Sequence, residues 1–230
     1  MKALKNLDFA IVVTLVLAWA VTATSAMATE LPDLHVALGE SYPLLGEGEI
    51  KGEPAAKLES ALKEPLTATT VKAKLELKEL SSLGVGVITY TGVKHNAAGC
   101  NTEGDAPEVV KLSGEGHIVV KVVAGKLTPL LLLLFKPLTF ACEKLKLIVS
   151  GTLVLNISKV VSGMETTEVG TQSKCVGAGK QEFTEYENDA GEIKTKQLIL
   201  TNFGLGNEPA CEEYFKELVI KSNKMAELLF

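Results

Sequence analysis

The stretch that decides the fold is KLTPLLLLLFKPLTFACEKLKLIVSGTLVLNIS, residues 126–158, the most apolar part of the chain. Two prolines, a charged pair and a Ser-Gly pair divide it into apolar runs: Pro129, Pro137, Glu143-Lys144 and Ser150-Gly151. Each run has about five residues, the usual length of a β-strand. The run 130–135 is too short to span a bilayer as a helix and lacks the alternation of a membrane strand. We therefore predict strands that are buried on both faces, at the centre of a β-sheet.

Segments on both sides of this stretch carry strand patterns of their own. In residues 71–78, apolar residues alternate strictly with charged ones, which indicates a strand with one face on a core and one in water. Residues 84–91 and 117–123 are also typical of strands, and Ile118, Val120 and Val122 share one face of the latter. Many short strands separated by Gly, Asn and Pro predict an all-β protein. We expect an antiparallel sandwich or barrel-like sheet with at most one or two short helices.

Other segments are less regular. Residues 31–53 predict a strand near 34–38, followed by loops or short edge strands. Residues 55–64 fit a short helix ended by Pro65 as well as they fit a strand. Residues 94–105 and 203–209, rich in Gly and Asn, are predicted to be loops.

The last third of the chain contains a turn signal, Asn188-Asp189-Ala190-Gly191, between two apolar segments, which predicts a hairpin. Near the end, Leu218 and Ile220 alternate with Val219 and Lys221, so we favour a strand there over a helix.

The N-terminal segment has the pattern of a secretory signal peptide. Lys2 and Lys5 precede the apolar run 9–20, and Ala26-Met27-Ala28 offers a small-x-small cleavage site. We predict a signal peptide over 1–28 and a single β-rich secreted domain over 29–230. Alternatives are an uncleaved membrane anchor and two packed β subdomains with a break near 160–165. The expected location is extracellular or at the cell surface.

Charge and composition exclude several partner classes. The formal net charge is −5 and all 23 basic residues are lysines. A mildly acidic chain is a poor ligand for nucleic acid. The bidentate guanidinium clamps used for phosphate are missing as well. We predict no nucleic-acid partner, no cofactor and no stable membrane span in the mature chain, and we leave a cell-wall or extracellular ligand as the possible partner.

Four cysteines lie in the exported part: Cys100, Cys142, Cys175 and Cys211. An even number in an exported chain predicts up to two disulfides, with three possible pairings. A metal site formed with His35, His95 and His117 is the competing interpretation. Because no C-x-x-C pair occurs, we predict disulfides and no metal site, with free buried thiols as the alternative.

No catalytic constellation stands out. The carboxylates Glu182, Glu185, Glu187, Asp189 and Glu192 bracket the predicted hairpin. Such carboxylates could act on a polysaccharide, but alternation spreads them over both faces of the hairpin, and a solvated charged face is the simpler interpretation. The terminal Phe230 with Leu228 and Ala226 is a weak signature of an outer-membrane β-barrel, without the aromatic girdles of that class.

Several segments taken together resemble a known set of proteins. They are LHVALGESYPL (34–44), CNTEGDA (100–106), KQEFTEYEND (180–189), NFG (202–204) and NKM (223–225). In this order they are similar to a large uncharacterised set of secreted, β-rich proteins of actinobacterial type. The resemblance implies export and a mostly β fold and carries no catalytic residue. Some of these proteins have a cysteine where this chain has Val93, which leaves the partner of Cys100 open.

These observations predict a secreted β-domain with a non-enzymatic binding or cell-surface structural role. A secreted hydrolase acting on polysaccharide through the carboxylates of residues 182–192 is the first alternative. An outer-membrane-type β-barrel is the second.

Overall fold

A computed structural model describes residues 33–36, 44–60, 65–77, 84–162, 166–177, 179–187, 192–202, 206–224 and 226–229. These ranges contain sixteen β-strands and no helix, which confirms the predicted all-β class. The strands are β1 (Asp33–Val36), β2 (Leu44–Ser60), β3 (Leu66–Leu77), β4 (Gly84–Thr91), β5 (Lys94–His95), β6 (Ala98–Thr102), β7 (Val109–Val123), β8 (Lys126–Cys142), β9 (Leu145–Ser162), β10 (Thr167–Gln172), β11 (Glu185–Glu187), β12 (Ile193–Thr195), β13 (Leu198–Asn202), β14 (Gly206–Tyr214), β15 (Leu218–Ser222) and β16 (Ala226–Leu229). Leu31–Phe230 forms one compact unit. The predicted signal peptide over 1–28 lies outside the described residues.

Fourteen of the strands form one antiparallel sheet, and β1 pairs with β16 separately. Eight of them close into a ring in the order β2–β3–β4–β7–β8–β9–β13–β14, with β14 pairing back onto β2. The long strands β2 and β9 extend beyond the ring. There β15 pairs with β2, β10 pairs with β9, and β10 and β15 pair with each other. The ring is therefore continued as a second tier, and the sheet is barrel-like rather than a sandwich.

The central stretch 126–158 forms the hairpin β8–β9. Residues 130–135 and 152–157 are buried on both faces, as predicted, whereas Lys136, Thr139 and Lys146 leave the other end of the hairpin with one exposed face. Leu131 and Leu133 belong to the large core enclosed by the ring. Leu130 and Leu132 point the other way, into a second cluster with Val154. Phe183 and Tyr186 pack against this second cluster from outside. A strand whose two faces are both covered needs apolar residues at consecutive positions, which explains the unbroken leucine run.

The strands of this hairpin are longer than the runs of about five residues we expected: β8 has 17 residues and β9 has 18. Of the four predicted breaks only Glu143-Lys144 is a turn. Pro137 lies where the β8–β9 register shifts between Phe135 and Leu138, and such a bulge accommodates a residue without an N–H. Gly151 continues the strand at φ +96, with Gln197 O only 2.4 Å from where a Cβ would lie.

Three expectations for irregular segments are wrong. Residues 44–60 form one long strand, β2, where we expected loops or short edge strands and then a segment that fits a short helix as well as a strand. Gly48 of this strand passes so close to β15 that a Cβ would lie 2.5 Å from Val219 O. The predicted loop at 94–105 contains β5 and β6. The predicted loop at 203–209 includes the start of β14. In each case pairing with distant strands supplies backbone partners that local glycine, proline and asparagine content does not reveal.

Other local predictions are confirmed. On β3, Val71 and Ala73 are buried, while Lys72 and Lys74 are exposed. The predicted hairpin exists as β11–β12, with its turn residues 188–191 outside the described residues. The strand preferred near the end is β15. Val122, expected on a buried face, is 53% exposed because it lies beside the turn between β7 and β8.

No helix in the described ranges is long and apolar enough to cross a membrane.

Candidate functional site: a polar cluster inside the ring

A buried carboxylic acid and two buried tyrosines meet inside the closed sheet. On β14, Ala210, Glu212 and Tyr214 are two residues apart, so they share the face that points into the ring. Their strand partners on β2 are Ser60, Leu58 and Ala56, in that order. Tyr90 reaches the same region from β4. Glu212 is 3% exposed, Tyr90 7% and Tyr214 6%.

Glu212 and Tyr90 line a cavity of about 50 Å³ within the ring. Every strand of the eight-stranded ring contributes to its wall, so the cavity is the part of the interior that side chains leave unfilled. Its other lining residues are mainly apolar: Ala56, Lys57, Leu58, Leu66, Thr67, Ala68, Val93, Val110, Leu112, Phe140, Val149 and Leu198. A space of this size holds about two to four water-sized groups.

The environment of Glu212 favours its neutral form. Burial raises the pKa of this carboxyl from 4.5 to about 8, and the hydroxyl groups of Tyr90 and Tyr214 oppose the change only in part. Burial likewise raises the pKa of each phenol well above 10.0, and the Glu212 carboxylate adds to that effect. At neutral pH the cluster therefore holds three O–H groups and no charge.

The three polar groups of the cluster neighbour one another. Tyr90 OH, Tyr214 OH and Glu212 Oε1 are buried and make no hydrogen bond of normal geometry with the described residues. The phenols nevertheless lie close enough to Glu212 to affect its pKa. Since buried polar groups in native proteins nearly always have polar partners, we take the two phenols and the carboxyl as one another's partners.

A glutamine completes the wall of the ring at the edge of β9. The edge of β9 pairs with β13 up to Gly151 and with β10 from Asn156 onward. Between them the buried side chain of Gln181 replaces a strand: Val154 N–H donates to its Oε1 at 3.0 Å, and its Nε2 donates to Thr152 O at 3.3 Å. The gap between the two tiers is thereby closed without a peptide strand.

The four cysteines form two disulfides, Cys100–Cys142 and Cys175–Cys211. The first links directly paired positions on β6 and β8. The second ties the segment carrying Gln181 to β14, one residue before Glu212. Among the described residues, the one group with metal-ligand spacing is Glu59 with Cys175 and Cys211. Because that disulfide leaves no thiolate, the group does not form a metal site.

The acidic hairpin lies elsewhere, on the outer face. Glu182, Glu185 and Glu192 are exposed, and Glu187 is half-buried. Glu185 pairs with Lys121 at 3.6 Å, and Glu192 pairs with Lys194 at 2.7 Å. None of these four carboxylates lines the interior cavity. Asp189 lies outside the described residues.

Sequence reasoning missed Glu212, Tyr90, Tyr214 and Gln181. The available signal was a charged residue at an inward position of an alternating strand, Ala210-x-Glu212-x-Tyr214. We did not recognise it because the preceding residues are predicted to be a loop, so the strand and its inward face were not assigned. Gln181 carries no signal in sequence, since its role depends on a gap between two strands distant in the chain.

Comparison with known proteins does not extend these observations: no family model, curated protein or solved structure matches the chain.

Proposed function

We propose that this protein is an exported β-domain that acts by binding a small ligand inside its closed sheet, and that it is not an enzyme. The observation that carries the proposal is the mainly apolar cavity inside the ring, whose wall includes the buried residues Tyr90 and Glu212. An apolar cavity with a few convergent polar groups is the usual form of a ligand site.

Export is part of the proposal. The basic, apolar and small-residue pattern of the first 28 residues supports it, and so do the two disulfides, which persist in oxidising compartments. N-terminal sequencing of protein recovered from the culture medium should begin at Thr29. Recovery of the full-length chain in the cell with free thiols would overturn this part of the proposal.

The rival proposal, a hydrolase that uses the carboxylates of residues 182–192, receives less support. An inverting or retaining glycosidase needs two carboxylates that face each other across a cleft. Here Glu185 and Glu192 have lysine partners on the protein surface. If the triple variant Glu182→Gln, Glu185→Gln, Glu187→Gln abolished a measured turnover of glycan substrates, the rival would replace our proposal.

Binding is tested by NMR titration of the oxidised protein against a panel of small alcohols, ketones, amides and hydrocarbons. We expect saturable shifts of amide signals in the cavity wall, for instance those of Ala68, Val149 and Leu198. The matched variant is Ala68→Leu, which fills the cavity and should abolish the shifts. Its fold is checked by circular dichroism. If no compound shifts these signals in the wild type, the cavity holds only water and the proposal fails.

A further inference from the structure

A short strap of chain closes the wall of the ring between its two tiers. The strap consists of residues 173–177 and 179–182, which follow β10 in sequence. Cys175 and Gln181 face each other in an isolated antiparallel bridge, so the strap folds back on itself as a small hairpin. This pairing gives the strap its shape but does not attach it to the sheet.

The strap reaches β9 through the side chain of Gln181. Its Oε1 accepts from Val154 N–H at 3.0 Å and its Nε2 donates to Thr152 O at 3.3 Å, which satisfies two backbone groups of β9. A hydrogen bond weakens steeply once its distance or angle leaves the normal range. The contact therefore depends on where the strap is held.

A disulfide holds the strap at the point opposite Gln181. It joins Cys175 to Cys211 on β14. Further hydrogen bonds attach the strap at Ser173 and at Gly179. Because the disulfide is covalent and lies directly across the strap from Gln181, it is the attachment that fixes where this side chain meets β9.

The two disulfides of the protein differ in exposure. Cys100 and Cys142 are 0% and 3% exposed. Cys175 is only half-buried and lies between Lys174 and Val176, which are both exposed. A thiolate must reach the sulfur that it attacks, so the more exposed bond is reduced first. A lysine beside the sulfur also favours thiolate at this place.

We propose that the Cys175–Cys211 disulfide is a redox latch: a small dithiol attacks Sγ of Cys175, and the opened bond lets Gln181 leave β9. The gap between the two tiers of the wall is then open. This inference goes beyond the proposed binding function and does not depend on what the cavity binds.

The step is a thiol–disulfide exchange. One thiolate of the dithiol forms a mixed disulfide with Cys175 and expels Cys211 as a thiolate. The second thiolate of the dithiol then displaces Cys175 and closes the reagent's own disulfide. The dithiol loses two electrons, the protein disulfide gains them, and the two protons of the dithiol end on the two cysteines. The reverse exchange, with an oxidised dithiol, closes the latch.

The first test follows the order of reduction in the oxidised full-length protein. Samples are treated with dithiothreitol for increasing times, quenched with iodoacetamide and mapped by mass spectrometry. We expect Cys175 and Cys211 to be labelled at least about tenfold faster than Cys100 and Cys142. Labelling of all four cysteines together, or of the buried pair first, would overturn the latch.

The second test measures hydrogen exchange of single backbone amides by NMR. When only the second disulfide is reduced, the Val154 amide should exchange at least about tenfold faster, and reoxidation should restore its protection. The amides of Leu153 and Leu155 are the controls and should keep their protection, because neighbouring residues of a strand point their N–H groups to opposite sides and these two face β8. The double variant Cys175→Ser, Cys211→Ser should behave like the reduced protein without any reductant.

A matched variant connects this readout to the strap. Gln181→Ala in the oxidised protein should raise the exchange of Val154 as reduction does, although the latch remains closed. If reduction leaves Val154 protected, Gln181 stays on β9 without the disulfide and the proposal fails. Equal loss of protection at Val154 and Leu153 would overturn it as well, because the bond would then hold the whole sheet rather than the strap.

Discussion

Replacing Glu212 by glutamine should remove most of the dependence of stability on pH between about pH 5 and pH 8. Glutamine has nearly the shape of the protonated acid but does not ionise. It therefore keeps the folded interior neutral at every pH, whereas the wild-type side chain must either hold its proton or place a charge among apolar residues.

The sign and size follow from the raised pKa. In the unfolded chain the carboxyl ionises near 4.5, and in the folded protein its pKa is about 8. Between these values only the folded state keeps the proton, so the stabilisation is complete below pH 4.5 and is lost as the pH rises toward 8. Each pH unit in this window lowers the free energy of unfolding of the wild type by about 1.4 kcal/mol, which amounts to roughly 5 kcal/mol across the window. At pH 7, Glu212→Gln should be more stable than the wild type by about 3 kcal/mol.

The assay is urea denaturation of the oxidised protein at constant ionic strength, followed by far-UV circular dichroism at several pH values. In the difference between the free energies of unfolding of wild type and variant, the contributions of the other titrating groups cancel. Glu213→Gln is the matched control, because it changes a carboxyl on the outward face of the same strand and should retain the wild-type slope. If the wild type and Glu212→Gln lose stability in parallel from pH 5 to pH 8, Glu212 is not the buried acid that we describe.

Three further changes test the fold around the site. Gln181→Ala leaves two buried backbone groups of β9 without partners and should lower the free energy of unfolding by about 2–4 kcal/mol. Glu182→Ala, at the exposed neighbouring residue, should lower it by less than about 0.5 kcal/mol. Equal effects of the two variants in urea denaturation would contradict the bridging role of Gln181. Gly114→Ala should destabilise the protein far more than Gly116→Ala on the same strand. The added Cβ would lie 2.1 Å from a backbone oxygen of β8 at position 114, but 3.4 Å from the end of a flexible leucine side chain at position 116. A lower thermal unfolding midpoint for Gly116→Ala than for Gly114→Ala would refute this packing. Cys175 and Cys211, the cysteines of the second disulfide, are 36 residues apart. Replacing both by serine should lower the free energy of unfolding by about 3–4 kcal/mol. An unchanged urea midpoint would show that the bond does not form in the folded protein.

The interpretation of the strands illustrates where local pattern succeeds. On β3 the alternation of Val71 and Ala73 with lysines needs no knowledge of the partner strands, because it reflects one wet and one dry face. The run 130–135 was equally informative, since only a strand covered on both sides tolerates five consecutive leucines. The hairpin β11–β12 followed from its turn residues.

Local pattern failed where partners distant in sequence override it. The glycines and prolines of β2 are typical of a loop, yet Gly48 permits the close approach of β15. Pro137 looked like a break, but a bulge against β9 accommodates it. Neither outcome can be predicted from the segment alone, because each depends on which strand pairs with it.

The sequence by itself determined the all-β class, the apolar centre of the sheet and the supply of four cysteines for disulfides. Only the tertiary structure decided which cysteines pair, that eight strands close into a ring, and that Glu212 and Tyr90 meet in its interior. The physical reason is that alternation and composition specify which face of a strand is apolar, whereas ring closure brings together side chains from strands more than a hundred residues apart. The candidate site belongs wholly to this second kind of information.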